Sequence, residues 1–154
     1  MPNWCDNKVR IEGPVDKIYD MAKAMEEDRL LEHMVPLGQW DYHKAVDEWG
    51  TKWDISEASV THNIEDGVIE GYFMSAWSPP TNAFETYSLD NPEVSIEHRY
   101  YEGGNDYCGR NGDERSGLPK YDDPLWDEDD VLKECDMEFG IRESMAAMED
   151  AEWE

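Results

Sequence analysis

Alternating apolar and polar residues predict a first β-strand over residues 7–12, where Val9 and Ile11 share one face. A Gly-Pro pair at 13–14 ends this strand, and proline is favoured in the first turn of a helix. Apolar residues then recur at helical spacing from 15 to about 34. This spacing predicts one long amphipathic helix.

Two further strands are predicted over residues 58–65 and 68–77, around the turn-forming pair Asp66-Gly67. A Pro-Pro pair ends the second of them, and a short helix capped by Thr81 follows. Residues 93–101 then alternate again. The resulting order, β-α-β-β-α-β, predicts an α+β protein with the ferredoxin-like fold, an antiparallel sheet with both helices on one face.

Three tryptophans mark the stretch between the first helix and the hairpin, residues 39–57. The stretch has no clear period, yet a linker would not carry Trp40, Trp49 and Trp53. We therefore expect a structured excursion packed on the sheet. Residues 102–121 are Gly-rich and polar, which is typical of a loop or an edge hairpin.

The C-terminal segment is both helical in pattern and acidic. From Pro124 onward the apolar residues follow helical spacing, and Gly140 is where this helix would kink or divide. Residues 122–154 hold 14 acidic and 2 basic side chains, a net charge of −12, against −13 for the first 121 residues. We therefore expect a ferredoxin-like domain over residues 1–121 and an acidic helical extension over residues 122–154.

The net charge of −25, from 38 acidic and 13 basic side chains, narrows the classes of partner. A surface of this charge repels nucleic acid and anionic lipid, and it attracts basic protein surfaces. The chain has no apolar run of the roughly 20 residues that a membrane span needs, and its start does not resemble a secretory signal. Three widely spaced cysteines do not suggest disulfides. We expect a soluble cytoplasmic protein, in the host cytoplasm if a phage encodes it.

Four carboxylates in the C-terminal segment recur at three- and four-residue spacing: Asp127, Asp130, Glu134 and Glu138. On one helix this spacing corresponds to about one turn, or about 5–6 Å, which is near the interval between successive phosphates. These residues are the predicted partner-binding site, where carboxylates would imitate a nucleic-acid backbone. The alternative is that they form the solvated face of an ordinary amphipathic helix.

The aromatic and cationic residues allow a second interpretation. Trp49, Trp53 and Trp77 could line a pocket for a planar ligand, and Arg110 and Arg115 could hold its anionic group. The structural alternative is that the tryptophans seal the excursion onto the sheet and that the arginines balance local charge. Buried tryptophans and paired arginines would favour the structural alternative, and exposed ones around a common cavity would favour a ligand site.

The sequence contains no catalytic or metal-binding motif that we could identify. The four histidines lack paired spacing, no Cys-x-x-Cys occurs, and there is no nucleophile elbow or phosphate-binding loop. We therefore expect no metal, no cofactor and no enzymatic activity. A pocket in which His62 or His98 met a buried carboxylate would favour an enzyme instead.

Three motifs resemble those of a known family: the start MPNWCDNKVRIEG, WGTKW at 49–53 and AWSPP at 76–80. In this order they resemble the YubB-type family, ferredoxin-like-domain proteins of phages and plasmids, over roughly residues 1–110. The resemblance implies a ferredoxin-like core and a mobile-element origin, and it brings no established catalytic residues. The acidic segment after residue 121 departs from the common pattern, so we expect a function particular to this protein there.

The expected function is that of a phage-type, non-enzymatic inhibitor. It would occupy the basic, nucleic-acid-binding surface of a host protein, such as a nuclease, a restriction enzyme or a CRISPR effector. The alternative is a protein that sequesters a nucleotide signal between the Trp-rich excursion and the loop that carries Arg110 and Arg115.

Overall fold

The computed structural model describes the backbone of residues 3–153 and the side chains of residues 3–149. The strands are β1 (Trp4–Glu12), β2 (Ser56–Asn63), β3 (Val68–Ala76), β4 (Ser95–Glu102), β5 (Tyr107–Arg110) and β6 (Asp113–Ser116). The helices are α1 (Val15–Glu26), α2 (Leu30–Met34), α3 (Tyr42–Glu48), α4 (Thr81–Asp90), α5 (Leu125–Glu128), α6 (Asp130–Phe139) and α7 (Ile141–Trp153).

The strands form one antiparallel sheet in the order β2-β3-β1-β4-β5-β6. The first four strands, with α1 and α4 as the connecting helices, have the order and connectivity of a ferredoxin-like fold. The predicted α+β ferredoxin-like fold is therefore confirmed. The hairpin β5–β6 extends the sheet beyond β4, the strand that would otherwise form its edge.

One face of the sheet holds the main apolar core beneath α1 and α4. On β1 the inward residues Val9 and Ile11 are fully buried and the outward residues Arg10 and Glu12 are exposed, as the alternation predicts. Ile18, Met21 and Met25 of α1 and Phe84 of α4 pack on these strands. Burial of this apolar face stabilises the two helices on the sheet.

A second apolar cluster lies on the opposite face. Tyr101 and Cys108 are cross-strand partners on β4 and β5, and they alternate with Tyr100, which points toward the α1 and α4 side. The C-terminal helices cover them with five buried side chains: Trp126, Val131, Leu132, Cys135 and Ile141. The acidic segment thus packs on the sheet, although most of its surface residues are charged.

The predicted helix over residues 15–34 is divided in two, which corrects the expectation of one long helix. Helix α1 ends at Glu26, and Asp28 then adopts a left-handed backbone with φ of 57°. The carboxylate of Asp54 accepts hydrogen bonds from the backbone N–H groups of Leu31 (2.9 Å) and Glu32 (3.0 Å). This cap at the start of α2 comes from a distant part of the chain, so helical spacing could not predict the break.

The C-terminal segment is also not one helix. The backbone of Asp129 is extended between α5 and α6, and its side chain caps α6 by accepting from Leu132 N at 3.0 Å. Gly140 adopts a left-handed conformation, with φ of 61°, and ends α6. The break at Gly140 was predicted, and the break at Asp129 was not.

The two irregular stretches contain regular structure. Residues 39–57 include α3, which begins after Asp41, whose carboxylate accepts from Lys44 N at 3.0 Å. Residues 102–121 contain the β5–β6 hairpin, whose turn is Asn111-Gly112 with positive φ at both positions. An Asn-Gly pair is the favoured sequence for a two-residue hairpin turn of this kind.

Trp126 provides a test of how far the C-terminal helices contribute to stability. Its side chain is fully buried, so Trp126→Ala should lower the free energy of unfolding by about 3–5 kcal/mol in urea titration. Leu89 is 76% exposed, and Leu89→Ala should change this free energy by less than about 0.5 kcal/mol. Equal urea midpoints for the two variants would show that α5–α7 do not contribute to the cooperative fold.

Candidate functional site

The four carboxylates of the predicted partner-binding site do not form a row on one helix, which corrects the spacing argument. Asp127 lies on α5, whereas Asp130, Glu134 and Glu138 lie on α6. On α6 these three residues share one face, and they line a shallow cavity of about 600 Å³ together with Arg99. The extended backbone at Asp129 interrupts the periodicity between the two helices.

Glu134 and Glu138 lie beside cations from the strands of the same chain. Glu134 Oε2 is 2.9 Å from Arg110 Nη1 and 3.6 Å from Arg99 Nε, which are ion-pair contacts without the alignment of hydrogen bonds. Glu138 is 3.9 Å from Lys8 Nζ. Ion pairs of this kind partly neutralise Glu134 and Glu138, so neither resembles an isolated phosphate.

Asp127 and Asp130 are more accessible than Glu134 and Glu138. Asp127 accepts a hydrogen bond from Arg142 at 3.3 Å, yet its side chain remains 73% exposed. Asp130 is exposed and has neither a hydrogen bond nor an ion pair within the described part of the chain. Of the four predicted residues, these two are therefore available to a basic partner.

The ion pairs made by the arginines show which carboxylates have a positively charged partner and which do not. All six are engaged in ion pairs with Asp or Glu: Arg10, Arg29, Arg99, Arg110, Arg115 and Arg142. Between residues 122 and 143, four carboxylates are exposed and have no ion-pair or hydrogen-bond partner within the described chain: Asp122, Glu128, Asp130 and Glu143. We call these four the open carboxylates.

Trp49 and Trp53 have structural positions. Trp49 is 3% exposed, and its indole N–H donates to the backbone oxygen of Val35 at 2.9 Å. Trp53 is half-buried, with its ring centroid 6.2 Å from that of Trp4. The two side chains join the excursion to the core, as the structural alternative expected.

Trp77 differs from the other two because it is 45% exposed and has a φ of 71°. A bulky residue rarely adopts this left-handed backbone, which costs of the order of 1–3 kcal/mol. Hydrogen bonds on both sides hold it, from Trp77 N to Asn3 O (2.8 Å) and from the Tyr107 hydroxyl to Trp77 O (2.9 Å). The ring lines a cavity of about 410 Å³ with Tyr42 and Val46, which are also exposed.

The structure does not bring the predicted ligand-binding residues together. Arg110 is directed toward Glu134 on the α6 side of the sheet. Arg115 bonds to Asp129 at 3.1 Å and to Asp113 at 2.6 Å. Both cations are occupied there, and neither lines the cavity at Trp77.

A polar network inside the main core was not predicted from the sequence. His98 is 3% exposed, and its Nε2 lies 2.8 Å from Oδ1 of Asn7. The Asn7 amide donates from Nδ2 to Ser75 Oγ (2.9 Å) and to Cys5 O (3.0 Å). Because Oδ1 of Asn7 can only accept, His98 donates from Nε2, and its Nδ1 carries a free lone pair.

Burial keeps this imidazole neutral. It lowers the pKa of His98 from 6.5 to about 3, because the charged form would lose its hydration. The ring also packs edge-on against Phe84, with centroids 4.8 Å apart. His98 therefore acts as a hydrogen-bond acceptor at Nδ1 over the whole range of neutral pH.

His98 lines a cleft of about 290 Å³ between α4 and the β5–β6 turn. The turn is attached to His98 itself, since Asn111 N donates to His98 O and Asn111 Oδ1 accepts from His98 N, both at 2.7 Å. The other lining residues are Thr81, Phe84, Glu85, Ser88, Ile96 and Gly112. We call this cavity the α4 cleft.

One sequence signal could have indicated the network. Asn7 occupies an inward position of β1, between the buried residues Cys5 and Val9. A polar residue in a buried position needs a hydrogen-bond partner, and His98 occupies the apolar side of the predicted strand 93–101. The partners could not be assigned without the sheet order.

The histidines that would have favoured an enzyme have other contacts. His98 bonds to an amide, and His62 lies 3.2 Å from Glu26 in an exposed pair. Across the residues that the structure describes, no three His, Cys, Asp or Glu side chains are grouped as a metal site requires. None of the helices within this same part of the chain is long and apolar enough to cross a membrane.

A comparison of the sequence with models of known protein families identifies the family of this chain. The family model described as "Ferredoxin-like domain in Api92-like protein" matches residues 48–150. The chain belongs to this family. No curated protein and no solved structure matches it significantly.

The extent of the Api92-like match has two structural consequences. It includes α5, α6 and most of α7, so the acidic segment belongs to the family domain as far as residue 150. It begins after β1, which pairs with β3 on one side and β4 on the other. The matched residues alone therefore lack the strand that joins the two halves of the sheet.

His98 predicts a pH dependence of stability. The unfolded chain binds a proton at His98 below about pH 6.5, whereas the folded protein does so only near pH 3, so stability falls as the pH decreases through this window. Between pH 6.5 and 5.0 this single group should lower the free energy of unfolding by about 1.5 kcal/mol.

His98→Gln provides the comparison, because an amide N–H can donate to Asn7 without titrating. Urea unfolding of both proteins at the two pH values cancels the contribution of the shared carboxylates. The wild type should lose about 1.5 kcal/mol more than the variant. Equal losses would contradict a buried, neutral His98.

Proposed function

We propose that this protein is a non-enzymatic inhibitor, encoded by a phage or plasmid and active in the host cytoplasm. It would bind the basic, nucleic-acid-binding surface of a host protein and thereby exclude nucleic acid. Nucleases, restriction enzymes and CRISPR effectors are the expected classes of target. The mobile-element origin rests on the three motifs that resemble the YubB-type family.

The observation that carries this proposal is the excess of carboxylates over available cations. The net charge is −25, and every arginine is already paired with an acidic side chain of the same chain. The remaining exposed carboxylates produce a negative potential that attracts a basic surface over a distance of about one Debye length, about 10 Å at 0.1 M salt. A nucleic-acid-binding surface has the complementary charge.

The open carboxylates are the part of the C-terminal segment best placed for this role. They have no internal partner among the described residues, so a partner's Lys or Arg would not have to displace an existing ion pair. Glu134 and Glu138, which lie beside cations, would contribute less. The proposed contact residues are therefore Asp122, Glu128, Asp130 and Glu143, of which only Asp130 belongs to the predicted row of four.

Exposed aromatic rings add a second type of contact that suits a basic partner. Trp77 and Tyr42 line one cavity and are 45% and 48% exposed. Arginine and lysine side chains stack on such rings, with about 0.5–2 kcal/mol for each contact. Strained backbone conformations cluster at functional sites, and Trp77 has such a conformation.

Competition with DNA tests the proposal. A purified nuclease, a restriction endonuclease and a CRISPR effector would each be titrated with this protein in the presence and absence of their duplex DNA. We expect binding to at least one of them, competition with the duplex, and slower association as salt rises from about 0.1 M to 1 M, where the Debye length falls to about 3 Å.

Two charge-matched variants locate the surface. The first replaces the four open carboxylates by their amides (Asp122→Asn, Glu128→Gln, Asp130→Asn and Glu143→Gln) and should bind at least about tenfold more weakly. The second makes the same change in charge at exposed carboxylates elsewhere (Asp16→Asn, Asp20→Asn, Asp47→Asn and Glu48→Gln) and should bind nearly as the wild type does. Equal weakening would indicate bulk charge alone, and binding that leaves the duplex in place would refute competitive exclusion.

A further inference from the structure

We propose that the α4 cleft binds a small primary amine that carries an apolar group. The cleft uses residues other than the open carboxylates, so this inference does not depend on the proposed inhibitor function. Its basis is the meeting of unsatisfied hydrogen-bond acceptors with an apolar wall in one cavity.

The cleft exists because the sheet is wider than its helical layer. A four-stranded ferredoxin-like sheet would end at β4, next to α4. The hairpin β5–β6 continues beyond that edge, and its Asn111-Gly112 turn is attached to the backbone of His98. The turn and α4 therefore form two walls, with His98 and Ile96 of β4 between them.

Several polar groups of the cleft have no hydrogen-bond partner within the described chain. Nδ1 of His98 is an acceptor because Nε2 carries the proton, and no residue of the described chain donates to it. Thr81, Glu85 and Ser88 follow one another at four- and three-residue spacing on one face of α4. Within residues 3–149 their side chains make no hydrogen bond or ion pair, so all three can interact with a ligand.

The charged groups that line the cleft favour a positively charged ligand over a negatively charged one. Its side chains include the carboxylate of Glu85 and the neutral imidazole of His98, and no Lys or Arg is among the described residues that line it. Together with the net charge of −25, this set repels anions and favours a cationic donor. A primary ammonium has three N–H donors for these acceptors.

The apolar part and the size of the ligand follow from the remaining walls. Phe84 and Ile96 supply an aromatic ring and an aliphatic side chain. The cavity of about 290 Å³ corresponds to roughly ten water molecules at about 30 Å³ each, so it has room for a single-ring ligand. Displacement of water from the two apolar side chains would add to the affinity.

Three ring compounds of similar size test the assignment: benzylamine, benzyl alcohol and benzoate, which are a cation, a neutral molecule and an anion at neutral pH. Each would be titrated into the full chain labelled with ¹⁵N at histidine. We expect benzylamine to shift the Nδ1 resonance of His98 in a saturable way. Benzyl alcohol should bind at least about tenfold more weakly, and benzoate should produce no shift.

Variants separate this site from general attraction of cations. Glu85→Gln should weaken the binding of benzylamine about tenfold and leave that of benzyl alcohol unchanged. Glu65→Gln, which changes an exposed carboxylate in the turn between β2 and β3, should alter neither. Ser88→Leu should block the cleft and abolish binding of both. Ser88 is half-buried, and an unchanged thermal transition would confirm that this variant is folded.

Two results would overturn the proposal. One is equal binding of benzoate and benzylamine, which would show that the cleft does not select a cation. The other is saturable binding of benzylamine that leaves the His98 resonance unchanged or persists in a folded Ser88→Leu variant, which would place the amine elsewhere. If the variant that lacks the open carboxylates no longer inhibited a host protein, the binding of benzylamine to the α4 cleft would be expected to remain unchanged.

Discussion

The structure depends on the pairing of β1 with β3 on one side and with β4 on the other. Within the described chain, β1 is the only strand that hydrogen-bonds both to the hairpin β2–β3 and to the β4–β5–β6 half of the sheet. Its inward side chains form the floor of the core, and one of them, Asn7, brings Ser75 of β3 and His98 of β4 into one hydrogen-bond network. Its outward side chain Lys8 reaches Glu138 of α6. Both faces of the protein are therefore organised around a single strand.

The C-terminal helices can be both acidic and stably packed, because buried apolar residues hold them on the sheet while the acidic residues lie at the surface. The C-terminal helices are held by buried apolar side chains such as Trp126 and Leu132, whose burial contributes about 1.5–3 kcal/mol or more for each large residue. Exposed ion pairs such as that of Asp127 with Arg142 contribute about 0–1 kcal/mol. Their larger effect is that every arginine already has an acidic partner within the chain. Carboxylates such as Asp130 and Glu143 then remain exposed, at the cost of mutual repulsion that salt would reduce.

The hairpin β5–β6 relates the two surfaces proposed to have functions. On the α6 side, its cation Arg110 contacts Glu134 and helps to hold the acidic helix against the sheet. On the α4 side, its Asn111-Gly112 turn closes the cleft beside His98. The two surfaces therefore lie on opposite faces of the same strands. A partner bound to the open carboxylates and a small ligand in the α4 cleft would contact different atoms.

Local patterns in the sequence were enough to predict the order of strands and helices in the ferredoxin-like core, because alternation, helical spacing and turn residues such as Asp66-Gly67 are signals that neighbouring residues carry. The sequence also located the excess of acid after residue 121 and the break at Gly140. Which carboxylates remain without a cationic partner depends on how distant parts of the chain pack together. The cations beside Glu134 come from strands that are distant in sequence, and the cap at the start of α2 comes from Asp54. The same is true of the proton on His98, which is assigned by Asn7 across the sheet. The periodicity of apolar residues indicates which face of a helix or strand is buried. Contacts between elements depend on the order of strands in the sheet and on packing, and no local sequence pattern gives these.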